Sequence, residues 1–222
     1  MGNKMRSNYF PSIWLGNFHS KAEWDDRAFQ IGEVVSVIDW IDDRMLYSRH
    51  PFSFSAYCSA CGRVTKMNIN WTYGGIGSFP GSVNPAWTET CVCEECGLNS
   101  RMRALFDLLN IQYEINSNLR IYIAEQTTPF FQKLKHKFPS LMGSEYLGAD
   151  RKCGEILMNK KNKEGIRHED ITKLSFVDKM FDIVITQDVF EHIPNYRQAF
   201  SELWRVLSSG GSLVFSIPFF FD

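Results

Sequence analysis

The segment 181–219, FDIVITQDVFEHIPNYRQAFSELWRVLSSGGSLVFSIPF, constrains the fold more than any other because it reads as strand, helix and strand. Residues 181–186 are a short apolar run rich in β-branched side chains, as a parallel strand buried on both faces requires. The run ends at Gln187 and Asp188. Asn195 is a good helix N-cap, with Pro194 before it and Gln198 three residues on. Over 196–207, Ala199, Phe200, Leu203, Val206 and Leu207 share one face at helical spacing, while Arg197, Glu202 and Arg205 fall elsewhere. Gly210 and Gly211 are expected to stop the helix, since glycine takes the left-handed conformation there without a Cβ clash. Residues 212–219 are again a buried-strand run. Such a unit is a parallel crossover.

The preceding hundred residues supply matching pieces. Residues 119–124 suit a first strand, followed by Glu125-Gln126-Thr127-Thr128-Pro129. Thr128 as N-cap and Pro129 as first helical residue start a helix that buries Phe130, Phe131, Leu134 and Phe138. Residues 141–146 suit a second strand, with Glu145 near its end and twenty residues past Glu125. The polar stretch 148–165 reads as loop with a short helix. Residues 166–168 suit a third strand, with Asp170 just beyond it.

The acidic residue after strand three, then LSFVDKMFDIVI, DVFEHI and RVLSSGGSLVFSIPF, together resemble the second half of a class I S-adenosylmethionine (SAM)-dependent methyltransferase, over 119–219. The resemblance implies an α/β, Rossmann-like parallel sheet of about five strands, order 3-2-1-4-5, with flanking helices. It implies SAM as cofactor, with Glu145 accepting from both ribose hydroxyls, Asp170 accepting from the adenine amino group, and Ile171 flanking the ring. Gln187 and Asp188 lie at the carboxyl end of strand four, where open α/β sheets bind ligands. The family's glycine-rich first loop is replaced here by residues 125–128, every one carrying a Cβ, and Glu125 becomes the candidate partner for the cofactor's ammonium group. His192 is the candidate catalytic proton acceptor, needed only for a hydroxyl acceptor; a helix-positioning role for the Glu191-His192 pair is the alternative. Members of the family continue past strand five with a helix and two strands, so a domain incomplete at its C-terminus, with an open edge at strand five, is expected.

The cysteines add a second site. Cys58-Ser-Ala-Cys61 and Cys93-Glu-Glu-Cys96 stand thirty-one residues apart, and two residues between cysteines let a tight turn aim both sulfurs at one ion. Gly62 and Gly97 suit those turns. Zinc is the expected metal, a disulfide pair being disfavoured without a secretory signal. Cys91 competes with Cys93 for the fourth position, and Cys153 reads as a plain thiol. Gly74, Gly75, Gly77, Pro80 and Gly81, interleaved with Trp71, Tyr73, Phe79 and Trp87, make a turn-rich insert; the strand and helix that a phosphate loop requires are not there. A closed all-cysteine site points to a structural staple, with a grip on substrate as the alternative. Ser100 is expected to cap a helix carrying Met102, Leu105, Phe106 and Leu109, on which Arg101 and Arg103 are exposed candidates for an anion or simply solvated.

The N-terminal part reads as an irregular arm to residue 19, then a capping box, Ser20 with Glu23, opening a helix to about residue 46. Its apolar stripe packs on its own domain, with a homodimer contact as the alternative. The domains expected are 1–50, arm and helix; 51–99, zinc module; and 100–222, the Rossmann-like domain. Net charge is −1, with Lys+Arg 24 against Asp+Glu 25, which argues against a nucleic-acid partner. No apolar run approaches the roughly 18 residues of a membrane span, and the first residues carry neither a signal-peptide core nor a myristoylation pattern, so a cytoplasmic protein is expected. The leading function is SAM-dependent methyl transfer to a small molecule or saccharide. The rivals are a zinc-containing interaction module that keeps the fold without the chemistry, and an RNA-modifying enzyme.

Overall fold

The computed structural model describes residues 19–23, 25–26, 50–76, 83–112, 118–158 and 165–218. The chain forms two compact units, one from Met1–Pro51 and Trp71–Ala86, the other from Phe52–Asn70 and Trp87–Asp222. In the first, the expected capping box is present: Ser20 Oγ accepts from the Glu23 amide at 3.2 Å, and the Glu23 carboxylate reaches back to the His19 amide at 2.8 Å. Residues 21–23 and 25–26 are helical, and residues 27–46 of that expected helix lie outside the described residues. Gly75–Ile76 and Val83–Asn84 pair antiparallel in the insert.

The second unit begins with a small antiparallel sheet. Strands β1 (Phe52–Cys58) and β2 (Arg63–Ile69) form a hairpin in register Phe52↔Ile69 to Cys58↔Arg63. After a short helix, α1 (Trp87–Thr90), strand β3 (Val92–Cys93) joins β2 with Met67 opposite Cys93. From Val64 onward the side chains of β2 alternate, Thr65, Met67 and Ile69 buried and Val64, Lys66 and Asn68 exposed, which is the period of a half-buried strand. Met67 and Ile69 join Cys58, Cys91 and Cys93 in a compact core, with the Trp87 ring edge-on to Phe52 at 6.5 Å.

The larger sheet is parallel. After helix α2 (Ser100–Gln112) come β4 (Ile121–Ile123), α3 (Pro129–Lys137), β5 (Met142–Gly143), β6 (Ile156–Leu157), β7 (Ile166–Arg167), β8 (Phe181–Gln187), α4 (Tyr196–Val206) and β9 (Leu207–Ser216). Four strands hydrogen-bond in the order β9-β8-β4-β5, all pairs parallel. The central strand β8 is buried at every position except Asp182, as its apolar run requires. Its Ile183 and Ile185 pack with Leu105, Phe106 and Leu109 of α2 and Phe130, Phe131 and Leu134 of α3. Val184 packs in a second cluster with Ala199, Leu203 and Val206 of α4 and with Tyr122 and Phe176. Helices therefore cover both faces. Leu98, just past the second cysteine pair, is fully buried in the first cluster, with Ala60 and Cys96 packed against it. Among the described residues no helix is long and apolar enough to cross a membrane.

Four local expectations need correcting. Helix α4 starts at its expected cap, Asn195, but it ends at Val206 and not at the glycines: Leu207 is already extended at φ −75°, ψ 135°, and pairs with Phe181. The register then jumps to Ile183↔Ser212, leaving residues 208–211 as a bulge opposite Asp182. Gly210 turns that bulge at φ +78°, and a Cβ on Gly211 would lie 2.9 Å from the Ser208 carbonyl. The loop 148–165 contains no helix among its described residues; it supplies β6, which pairs antiparallel with β7. The third expected strand thus bonds mainly to its own loop and meets β5's continuation by one parallel bridge, Glu145 with His168. Finally, Asn99 caps α2 in place of Ser100, its Oδ1 accepting from the Met102 amide at 2.9 Å.

Gly143 ends β5 where the chain passes closest to the first loop. A Cβ there would stand 2.5 Å from the Phe131 ring and 2.6 Å from the Glu125 carbonyl oxygen. Gly143→Ala is expected to lower stability by about 2 kcal/mol through overpacking, read as a denaturant midpoint shift at unchanged slope. A neutral result would mean that both the ring and the backbone at Glu125 give way freely.

Candidate cofactor site and metal centre

The two cysteine pairs meet. The sulfurs of Cys58, Cys61, Cys93 and Cys96 all lie within 4.8 Å of one another, with Cys58–Cys96 at 3.7 Å and Cys61–Cys93 at 4.0 Å. Four zinc–sulfur bonds of about 2.3 Å in a tetrahedron place sulfurs about 3.8 Å apart, so the donor set fits zinc. The hairpin turn after β1 aims the first pair, with the amides of Cys61 and Gly62 both donating to the Cys58 carbonyl and Gly62 at φ +71°. Burial works to raise the Cys93 thiol, but the Thr65 hydroxyl, 3.1 Å from its sulfur, and the Cys96 and Glu95 amides hold it down to about 6. Burial pushes Cys61 up to about 11. Cys91 is not in the cluster; its sulfur accepts from Arg103 Nη2 at 3.4 Å.

Arg103 also donates to the carbonyls of Cys91 and Leu98, at 2.9 and 2.7 Å. Both arginines of α2, expected to be exposed, are half-buried and held in internal networks. Arg101 is only 19% exposed at its side chain. Its guanidinium forks onto Glu89 at 2.9 and 3.0 Å, lies 2.9 Å from Asp188 Oδ2, and donates from Nη1 to Gln187 Oε1 at 3.2 Å. Asn99 steadies the same Glu89 at 2.9 Å. Gln187 in turn donates from Nε2 to Glu125 Oε1 at 2.7 Å. Burial pushes the Glu125 carboxyl up to about 7, against the Gln187 and Thr128 hydrogen bonds that pull it down. Asp188 takes the left-handed conformation, φ 49°, and accepts from Ser216 Oγ at 2.8 Å. Strain of this kind in a non-glycine residue persists where the surroundings enforce it, often at functional sites. Glu89 was missed as a site residue, and Arg101, a candidate for an anion, was not connected with its partners, because nothing in linear spacing joins the end of α1, the start of α2 and the end of β8.

The first loop owes its shape to side chains. Glu145 Oε1 accepts from the Gln126 amide, the Thr127 amide and the Thr127 hydroxyl, at 2.7 to 2.8 Å. Gln126 pairs like a strand residue, its Nε2 donating to the Gly165 carbonyl at 2.9 Å and its Oε1 accepting from the Arg167 amide at 2.9 Å. Thr128 Oγ1 then caps α3 through the Phe131 amide at 3.1 Å, with Pro129 in the first turn as expected. Asp170 Oδ1 accepts from the amide and hydroxyl of Thr172 at 2.8 and 2.7 Å. Ile171 is buried. A cleft of about 370 Å³ brings Asp170 together with Tyr146, which is 61% exposed, Gly148, Lys152 and Lys173. His192, on a single 3₁₀ turn after β8, is 78% exposed at its side chain and 3.9 Å from Glu191.

The carboxyl ends of β4, β5 and β8 thus gather Glu125, Glu145, Gln187 and Asp188, while Asp170 and His192 lie at separate turns. Residues 132–215 match the methyltransferase domain family. The match runs from within α3 into β9 and contains Glu145, Asp170, Gln187 and Asp188; Glu125 and the four cysteines precede it. A demethylmenaquinone methyltransferase from Deinococcus radiodurans is 31% identical over 99 residues, 41% of this chain. The chain spans 39% of that protein's length. Solved structures of proteins assigned as methyltransferases from Bacillus halodurans and, SAM-dependent, from Methanococcus maripaludis are similar at 18% and 16% identity, each with TM-score 0.36. Each comparison covers 50% of this chain, and 49% and 52% of theirs.

Proposed function

We propose that the chain carries a SAM-dependent methyltransferase domain over 100–222, its strands ordered 3-2-1-4-5, beside a zinc-stapled module over 51–99. The match of residues 132–215 to the methyltransferase domain carries this reading. The donor chemistry at the strand ends supports it. Carboxylates only accept hydrogen bonds, and ammonium, ribose hydroxyls and an adenine amino group are the donors such a cofactor presents. Glu125 is the partner for the ammonium, Glu145 for the ribose and Asp170 for the adenine, with Ile171 and Tyr146 beside the base. Gln187 and Asp188 fix the methionine end. Bound SAM supplies an electrophilic methyl group. The residues around it need to align the acceptor and exclude water, and His192 takes a proton where the acceptor has one to lose. The acceptor proposed is a small molecule or saccharide. The cysteines hold zinc away from this chemistry, since four thiolates leave no open position.

Titration calorimetry of SAM and S-adenosylhomocysteine on the zinc-loaded protein tests the reading. Micromolar binding is expected, with at least a tenfold loss in Asp170→Ala, the size of one hydrogen bond to a charged group. One observation favours a second reading, an interaction module without methyl transfer: an oxygen of the ribose candidate Glu145 is committed to the first loop. That reading expects no binding of either ligand.

A further inference from the structure

A relay of polar groups runs from the cysteine module into the cofactor mouth, from Glu89 to Arg101 to Gln187 to Glu125. Its direction is set by donors and acceptors. A guanidinium only donates, so the Gln187 amide must turn its oxygen to Arg101 and its NH₂ to Glu125. The NH₂ group then favours Glu125 as an ionised acceptor. Turned the other way, the amide would set donor against donor at Arg101 and acceptor against acceptor at Glu125.

We propose that Arg101 is a positioning residue, which fixes the Gln187 amide and through it keeps Glu125 ionised to receive a cationic amine, the ammonium end of the cofactor. This rests on the cofactor reading above. The charged groups that face Glu125 are Arg101 from α2, which favours ionisation, and Glu145 from the turn after β5, which opposes it; the hydrogen bonds come from Gln187 and Thr128. Glu89 and Asp188 share ion pairs with the same Arg101. The module carrying the cysteines thereby acts on the cofactor without touching it.

Protons released on binding report the relay directly. A carboxyl at about 7 is already mostly ionised at pH 7.5, so the wild-type protein is expected to release about a quarter of a proton as S-adenosylhomocysteine binds. In Arg101→Gln the charge is lost, and with it the donor-only group that obliges the Gln187 oxygen to face α2. If Glu125 then rises by about one unit, release at pH 7.5 rises to about three quarters of a proton and affinity falls about threefold or more. Both are read by calorimetry in buffers of different ionisation enthalpy, on protein checked for metal content and melting temperature. Arg101→Lys keeps a charge without the fork and should behave nearer to the glutamine variant than to wild type. Glu89→Gln, which loosens the fork but leaves Arg101 in place, should fall between. Proton release unchanged from wild type in both Arg101→Gln and Glu89→Gln overturns the inference and leaves the cofactor reading standing. Absence of binding by the wild-type protein removes both.

Discussion

With zinc on the four cysteines as proposed, Cys93→Ser is expected to lose the metal and at least about 4 kcal/mol of stability, a fall of about 10 °C in melting temperature for a chain of this size. Cys58 and Cys93 are fully buried, and the core around them is small: Met67, Ile69 and Cys91, edged by Phe52, Phe54 and Trp87. A cluster of that size does not stabilise a three-stranded sheet alone, and the metal's binding energy is folding energy where the site is absent in the unfolded chain. Strong chelation should give the same loss in the wild-type protein. Cys91→Ser is the internal control. Its sulfur contacts Arg103, so zinc should remain at one equivalent by atomic absorption; loss of zinc there, with retention in Cys93→Ser, would reverse the ligand assignment.

Glu145→Ala is expected to abolish cofactor binding, by at least a hundredfold, and to cost about 2 kcal/mol of stability. One carboxylate oxygen organises three donors of the first loop, and the substitution frees them together. The stability loss stays modest because Thr127 is exposed and water replaces part of what is lost. Binding suffers more because the loop and the proposed ribose partner go at once. Glu145→Gln keeps an acceptor and should fall between. A stability loss with unchanged affinity for S-adenosylhomocysteine would confine Glu145 to capping the loop.

The elements that local rules specify were legible in the sequence. Strand β8 is a β-branched run, Thr128 and Asn195 cap the helices they should, and each CxxC turn needs only its own four residues and the glycine after them. What escaped were the consequences of pairing. The glycines at 210 and 211 suit a helix stop as well as a strand bulge, and only the register against Phe181 and Ile183 decides between them. Residues 156–157 became a strand because residues 166–167 lay opposite. Arg101 followed the same logic at the site: a first-turn arginine is usually solvated, and its partners, Glu89, Gln187 and Asp188, come from segments that no periodicity connects. The glycine-poor first loop looked like a loss, yet Gln126 and Glu145 supply the hydrogen bonds that order it.

The two halves of the metal centre are far apart in the chain and adjacent in space, β2 running out at Ile69 and β3 returning at Val92. A metal ion held by the four thiolates would therefore be a cross-link that closes a long loop of chain. The cost of closing such a loop grows only with the logarithm of its length, about 0.6 kcal/mol for each doubling. Residues 71–86 of the intervening segment can therefore be lengthened, shortened or rewritten at little thermodynamic cost while the four thiolates, Trp87 and Glu89 stay fixed. Relatives of this chain should differ most there, and an inserted tag or small domain should be tolerated there better than anywhere between β4 and β9.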